Sequence, residues 1–130
     1  MMVLKIVGRP ISKKNSKRWI IRGGKRFLVP SEAYSNFEEH ATYQIKDQLR
    51  QEPRPIFSGK VHVNYEFRMK GLIRADVDNL VSGINDILKK AGVIVDDNLI
   101  TDGCFRKISG CKEWETTIKI SLPIDNNWLS

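Results

Sequence analysis

The run KVHVNYEFRMK, residues 60–70, alternates without a break. Val61, Val63, Tyr65, Phe67 and Met69 fall on one side, and His62, Asn64, Glu66, Arg68 and Lys70 on the other. Side chains of a strand point to opposite faces in turn, so this pattern predicts a strand with one face covered and one face wet. Such a strand needs neighbours beside it and apolar helix faces over it. His62 is read here simply as a residue of the polar face.

Two stretches supply those helix faces. Ser31 is an N-cap candidate, with Glu32 favourable to the macrodipole behind it. Tyr34, Phe37, Ala41, Ile45 and Leu49 then form a helical stripe that ends before Pro53. His40 lies beside that stripe and is expected to be partly buried; no second histidine stands at ligand spacing. The second stripe is Leu80, Ile84, Ile87, Leu88 and Ala91, with Gly92 at C′. VLKIV near the start has strand character, and RWIIR and KRFLV flank Gly23-Gly24 as a short basic hairpin. LITDGCFRKISG and EWETTIKISL close the chain as two strands, with Trp114, Thr116, Ile118 and Ile120 sharing a face. The expected fold is therefore α+β, a mixed β-sheet with two α-helices packed on it, in a single domain spanning residues 1–130.

Charge narrows the function. Lys and Arg number 22 against 15 acids, with a pI near 9.6, which favours polyanionic partners and above all nucleic acid. Lys13, Lys14, Lys17, Arg18, Arg22, Lys25 and Arg26 occupy one segment without an acid. They are either a solvated loop or a DNA-binding surface. No apolar run approaches the ~20 residues of a membrane span. The N-terminus opens directly on a strand pattern with no export signal, which predicts a cytoplasmic protein. Cys104 and Cys111 are too few for a disulfide scaffold or a four-cysteine zinc site.

Against this basic background, acids stand at both ends of the second helix. Taken singly they have ordinary explanations: Asp78 as a cap, Asp76 as a partner of the helix N-terminus, Asp96-Asp97-Asn98 as a turn, and Asp86 as a solvated helix charge. Taken together they suggest a site. In an extended segment Asp76 and Asp78, two apart, would point the same way. A helix from Asn79 to about Ala91 is roughly 20 Å long. The following AGVIVDD, at roughly 3.3 Å per residue, is long enough to retrace it. The spacing thus permits Asp97 to return beside Asp76 and Asp78 without demanding it. Converging carboxylates repel unless a cation lies among them, and Mg²⁺ suits oxygen ligands while leaving positions for water and phosphate. DVDNLV departs from a calcium-binding EF-hand loop at Leu80-Val81. A triad hydrolase is excluded because no G-x-S-x-G motif occurs and neither histidine has an evident nucleophile.

These residues also carry a resemblance. DVDNL followed by INDILKKAGVIVDD is similar to the RusA-type Holliday junction resolvases, most closely over Ala75–Ile100, with a weaker echo where a strand ends in Pro10 and an Asn-containing basic loop follows. The resemblance implies a RusA-like homodimer, prokaryotic or phage-encoded and nucleoid-associated. It would cut branched DNA, the four-way junction, by paired symmetric nicks with Mg²⁺ in recombination and repair. It implies Asp76, Asp78 and Asp97 as metal-binding catalytic acids, with Asp96 and Asn79 in support and the role of Asp86 open. Where the family carries a lysine, four residues after the second Asp, this chain has Ser82. Ser82 lies about 40° around the helix from Asp78, so it shares that side but brings no charge. Lys89 is almost two turns further on, and Arg74 and Lys70 are the better placed substitutes. Trp19 and Phe27 are candidates to stack on bases. The competing expectations are a non-catalytic basic DNA-binding module and a metal nuclease acting on other branched DNA.

Overall fold

A computed structural model describes residues 1–13, 17–72 and 76–123. Lys14 and Arg74, both named above, lie outside the described residues. The elements run β1 (Met2–Val7), β2 (Lys17–Arg22), β3 (Lys25–Pro30), α1 (Glu32–Gln51), β4 (Val61–Arg68), α2 (Val77–Lys90), a 3₁₀ turn (Asp97–Leu99), β5 (Ile100–Ile108) and β6 (Glu115–Ser121). Four strands form one sheet in the order β1-β6-β4-β5. β6 pairs antiparallel with both β1 and β4, whereas β4 and β5 run parallel. The sheet is mixed and carries two helices, as the sequence predicts.

The alternation in β4 is realised in full. Val61, Val63, Tyr65, Phe67 and Met69 are buried, together with Met2, Leu4 and Ile6 of β1 and Ile118 and Ile120 of β6. Ala41 and Ile45 of α1 and Leu80, Ile84, Ile87 and Leu88 of α2 join them in one core. Truncating one of these, for example Ile84→Ala, is worth about 2–5 kcal/mol of stability. Ser31 caps α1, its Oγ accepting from the Tyr34 N–H at 3.1 Å. Gly92, at φ +77, ends α2 with Val93 N–H bonded to Leu88 C=O and Gly92 N–H to Lys89 C=O, the Schellman pattern. His40, expected to be partly buried, is exposed; the stripe curves past it.

The two sheet edges differ. At β1 the free backbone groups are met by side chains of α1. Gln48 Oε1 accepts from Lys5 N–H at 2.9 Å and its Nε2 donates to Lys5 C=O at 2.7 Å. Gln44 does the same for Val7, at 2.8 and 3.0 Å. Four helical residues rise about 6 Å, and two strand residues about 6.6 Å, so glutamines at i and i+4 match strand residues at i and i+2. The pair mimics a fifth strand and removes β1 as a template for pairing with other chains. The opposite edge, β5, has no such cover among the described residues and is exposed over most of its length.

The β2–β3 ribbon is a sheet of its own. Gly23 and Gly24, at φ +56 and +76, supply the two left-handed positions of a tight hairpin turn.

Replacing both Gln44 and Gln48 by Ala should lower the free energy of unfolding by about 1–3 kcal/mol, since each carries a donor and an acceptor bond. Urea melts check this. Wild-type stability in the double variant would show that the glutamines contribute nothing.

Candidate metal and nucleic-acid site

The site is built by the β4–α2–β5 crossover. Asp76 is the N-cap residue of α2, in extended conformation at φ −63 and ψ 144, and makes no side-chain cap bond. Its carbonyl closes the first turn, accepting from Asn79 and Leu80 N–H at 3.1 and 3.2 Å. The helix therefore starts at Val77, earlier than expected, and Asp78 lies inside its first turn. The expected extended Asp76–Asp78 pair is not formed, because a carboxylate at the helix N-terminus is favoured by the macrodipole and the chain is already helical there. Asn79 is buried beneath this turn.

The return of Asp97 is formed. After the Schellman turn the chain is pinned to the segment before β4: Phe57 N–H donates to Val93 C=O at 2.9 Å and Val95 N–H to Phe57 C=O at 3.0 Å. The 3₁₀ turn then delivers Asp97 to a cavity of about 290 Å³ lined by Asp78, Asp97 and Asp102, with Tyr65, Val81 and Asn85 among its walls. Asp76 is not among the lining residues. Among the described residues, no three of His, Cys, Asp and Glu stand close enough to enclose one ion. The donor set nonetheless fits a hard cation: the acids of the cavity offer oxygen, and Mg²⁺ takes one or two carboxylates and fills its remaining positions with water and phosphate.

Neighbouring groups fix these acids. The Asp96 carboxyl is held below its ordinary range, its charged form favoured by the Asn98 backbone N–H and the Lys89 ammonium. Lys89 Nζ lies 3.7 Å from Asp96 Oδ1. The Tyr65 hydroxyl donates to Asn85 Oδ1. Burial chiefly, with the Asp97 charge adding to it, pushes the Tyr65 phenol up to about 12.

The cations divide. Lys13, predicted to bind DNA, is paired with Asp86 at 3.1 Å, which also gives Asp86 a structural role: it ties the chain after β1 to α2. The Lys13 side chain stays 41% exposed, so the pairing does not remove it from the surface. Lys17, Arg18, Arg22, Lys25 and Arg26 are exposed on the ribbon, as is Lys70 after β4. Arg26 stacks its guanidinium over Trp19 at 4.8 Å. Trp19 and Phe27 are 59% and 46% exposed and, by the pairings Trp19↔Leu28 and Ile20↔Phe27, belong to opposite faces of the ribbon. Neither packs in the core. Ser82 is exposed on α2.

Several residues of the site escaped the sequence reading, Asn85 among them. Asp102 of β5 lines the cavity, and its Oδ1 meets His62 Nδ1 at 2.9 Å. The glycine that follows it, inside a strand pattern, was the available signal of a bulge.

Carboxylates on one cavity and a ribbon rich in exposed cations are the features of a domain that acts on a polyanion. The family model described as Endodeoxyribonuclease RusA matches residues 8–121. A relative from Aquifex aeolicus (strain VF5), named Crossover junction endodeoxyribonuclease RusA, is 30% identical over 92 residues, covering 70% of this chain and 68% of its own length. The chain belongs to the endodeoxyribonuclease RusA family and is a nuclease that hydrolyses phosphodiester bonds of DNA. Among the described residues no helix is long and apolar enough to cross a membrane.

The raised Tyr65 pKa fixes a pH dependence. The phenol of the unfolded chain ionises near 10, whereas the folded one holds its proton to about 12. Above pH 10 the unfolded state binds fewer protons, so stability falls as pH rises through that window. Urea melts at pH 8 and 11.5 should show a loss larger by about 2 kcal/mol in wild type than in Tyr65→Phe. Equal losses would contradict the assignment.

Proposed function

We propose that this nuclease is a Mg²⁺-dependent, structure-selective endodeoxyribonuclease that resolves four-way DNA junctions as a homodimer, in recombination and repair. The observation that carries the reading is the meeting of Asp78 and Asp97, from opposite ends of α2, on one cavity. The name of the Aquifex relative, a crossover junction enzyme, supports the substrate class. The setting that follows is the cytoplasm of a prokaryote, at nucleoid or phage DNA.

Asp78 and Asp97 would hold the cation, with Asp76 alongside at the N-cap. Bound there, it would supply acidified water and a charge to offset the phosphodiester in flight. The chain's own groups do the rest. Lys89 and the Asn98 N–H favour the charged form of Asp96, beside Asp97. Tyr65 and Asn85 fix the cavity wall through their hydrogen bond. Lys17, Arg18, Arg22, Lys25 and Arg26 would neutralise phosphates that the acids would otherwise repel. Because Trp19 and Phe27 belong to opposite faces, a ribbon inserted at a junction centre offers an aromatic to the arms on both sides. Two equivalent sites in a two-fold dimer suit paired cuts in opposing strands. Lys70, exposed after β4, would be a candidate substitute for the family lysine absent at Ser82. The uncharged Ser82 favours a non-catalytic binding module, and the family match over residues 8–121 weighs against that alternative.

Labelled four-way junction, flap, duplex and single strand, each with and without Mg²⁺, test the reading. Wild type should nick the junction in symmetric pairs only with Mg²⁺. Asp76→Asn, Asp78→Asn and Asp97→Asn should each lose more than about 100-fold in rate, beyond the 10–100-fold typical of supporting residues, and keep junction affinity. Three variants cutting at wild-type rates would show that the site lies elsewhere. Equal cutting of flaps would make the enzyme a general branched-DNA nuclease instead.

A further inference from the structure

We propose that Asp102 is a further carboxylate of the catalytic cavity, positioned there by His62, and that it takes a hydrated divalent cation together with Asp97. The inference deepens the reading of the cavity given above and rests on it.

The backbone brings Asp102 to the spot. In the parallel β4–β5 pairing, Val61 is opposite Ile100 but His62 is opposite Asp102, so the register slips by one residue at Thr101. Such a bulge re-aims the side chains that follow it. Gly103 makes the bulge feasible: its φ is +153, and a Cβ there would lie 1.8 Å from the Val63 carbonyl oxygen. No other residue fits so close to the neighbouring strand.

The side chain is then fixed by a chain of hydrogen bonds. Asn64 Oδ1 accepts from the Cys104 backbone N–H at 3.1 Å, which establishes it as the amide oxygen. His62 Nε2, 2.9 Å from that oxygen, must therefore donate to it. The ring that makes both bonds is the imidazolium form, with Nδ1 donating to Asp102 Oδ1 at 2.9 Å. The imidazole is held at both ends and its side chain is 18% exposed, against 42% for Asp102. Among the described residues only Oδ1 of Asp102 is engaged, and Asp102 itself lines the cavity with Asp78 and Asp97. One oxygen anchored and one offered is how a supported metal-binding carboxylate is built, and partners of this kind orient the ligand. The offered group is hard oxygen, which selects a cation of the magnesium or manganese class over softer metals.

Binding of Mn²⁺ by DNA-free protein, followed by loss of the free-ion paramagnetic resonance signal, provides the test. Asp102→Asn should weaken binding by about tenfold. Asp102→Glu should recover most of that loss. Both should keep the wild-type melting temperature and metal-free junction affinity. Wild-type Mn²⁺ binding by Asp102→Asn, with binding lost in Asp97→Asn, would remove Asp102 from the site and leave the cavity reading standing. Equal losses in the Asn and Glu variants would show that shape, not charge, matters at 102, and would overturn the proposal. Normal binding by Asp97→Asn would overturn the cavity reading and this inference together.

Discussion

The parallel pairing of β4 with β5 is the constraint on which the rest depends. Two parallel neighbours cannot be joined by a hairpin; the chain must cross back over the sheet. Here the crossover is α2 and the segment from Ala91 to Leu99. Its helix stripe of Leu80, Ile84, Ile87 and Leu88 lies on the apolar face of β4, so the helix direction is set by burial rather than by propensity. Once α2 is laid down, its acidic first turn and the acidic turn before β5 face the same space. Asp78 and Asp97 come to one cavity because apolar groups elsewhere have been buried, which is how a basic chain can gather acids without direct attraction among them.

The sheet treats its two edges in opposite ways. At β1, Gln44 and Gln48 occupy the backbone groups that would otherwise invite another strand. At β5 the edge is uncovered among the described residues, and the bulge at Thr101 and the glycine at 103 turn it into a wall of the cavity. One edge serves stability and the other serves the site. The ribbon follows a third logic. Both its faces carry exposed apolar groups, Trp19 and Ile21 on one and Phe27 on the other, among cations. A two-stranded ribbon gains little stability by itself, so its composition is better explained by what it meets than by what it packs on.

Much of this was legible in the residues, and the physical reasons for success and failure are specific. Period-two alternation in β4, the Ser31 cap, the Gly92 terminator and the Gly23-Gly24 turn are local signals, and each appears where it was expected. The return of Asp97 was visible as a permitted path because chain length alone bounds it. The start of α2 was misplaced because Asp76, Asp78 and Asn79 each favour caps, and local propensity cannot choose among adjacent capping residues. Lys13–Asp86 and His62–Asp102 were invisible for a different reason. Their partners lie 73 and 40 residues apart, and only the tertiary pairing of elements brings them together. A bulge compounds the difficulty, since it shifts which residues share a row.

If the crossover creates the site, a paramagnetic ion must find it before DNA arrives. Substoichiometric Mn²⁺ added to ¹⁵N-labelled protein measures this directly through broadening of nearby amide resonances. The account predicts selective loss of signals from the first turn of α2 and from residues 96–103, with α1 and β1 untouched. Broadening centred instead on Glu38 and Glu39 of α1, or none above the level of free solution, would contradict it.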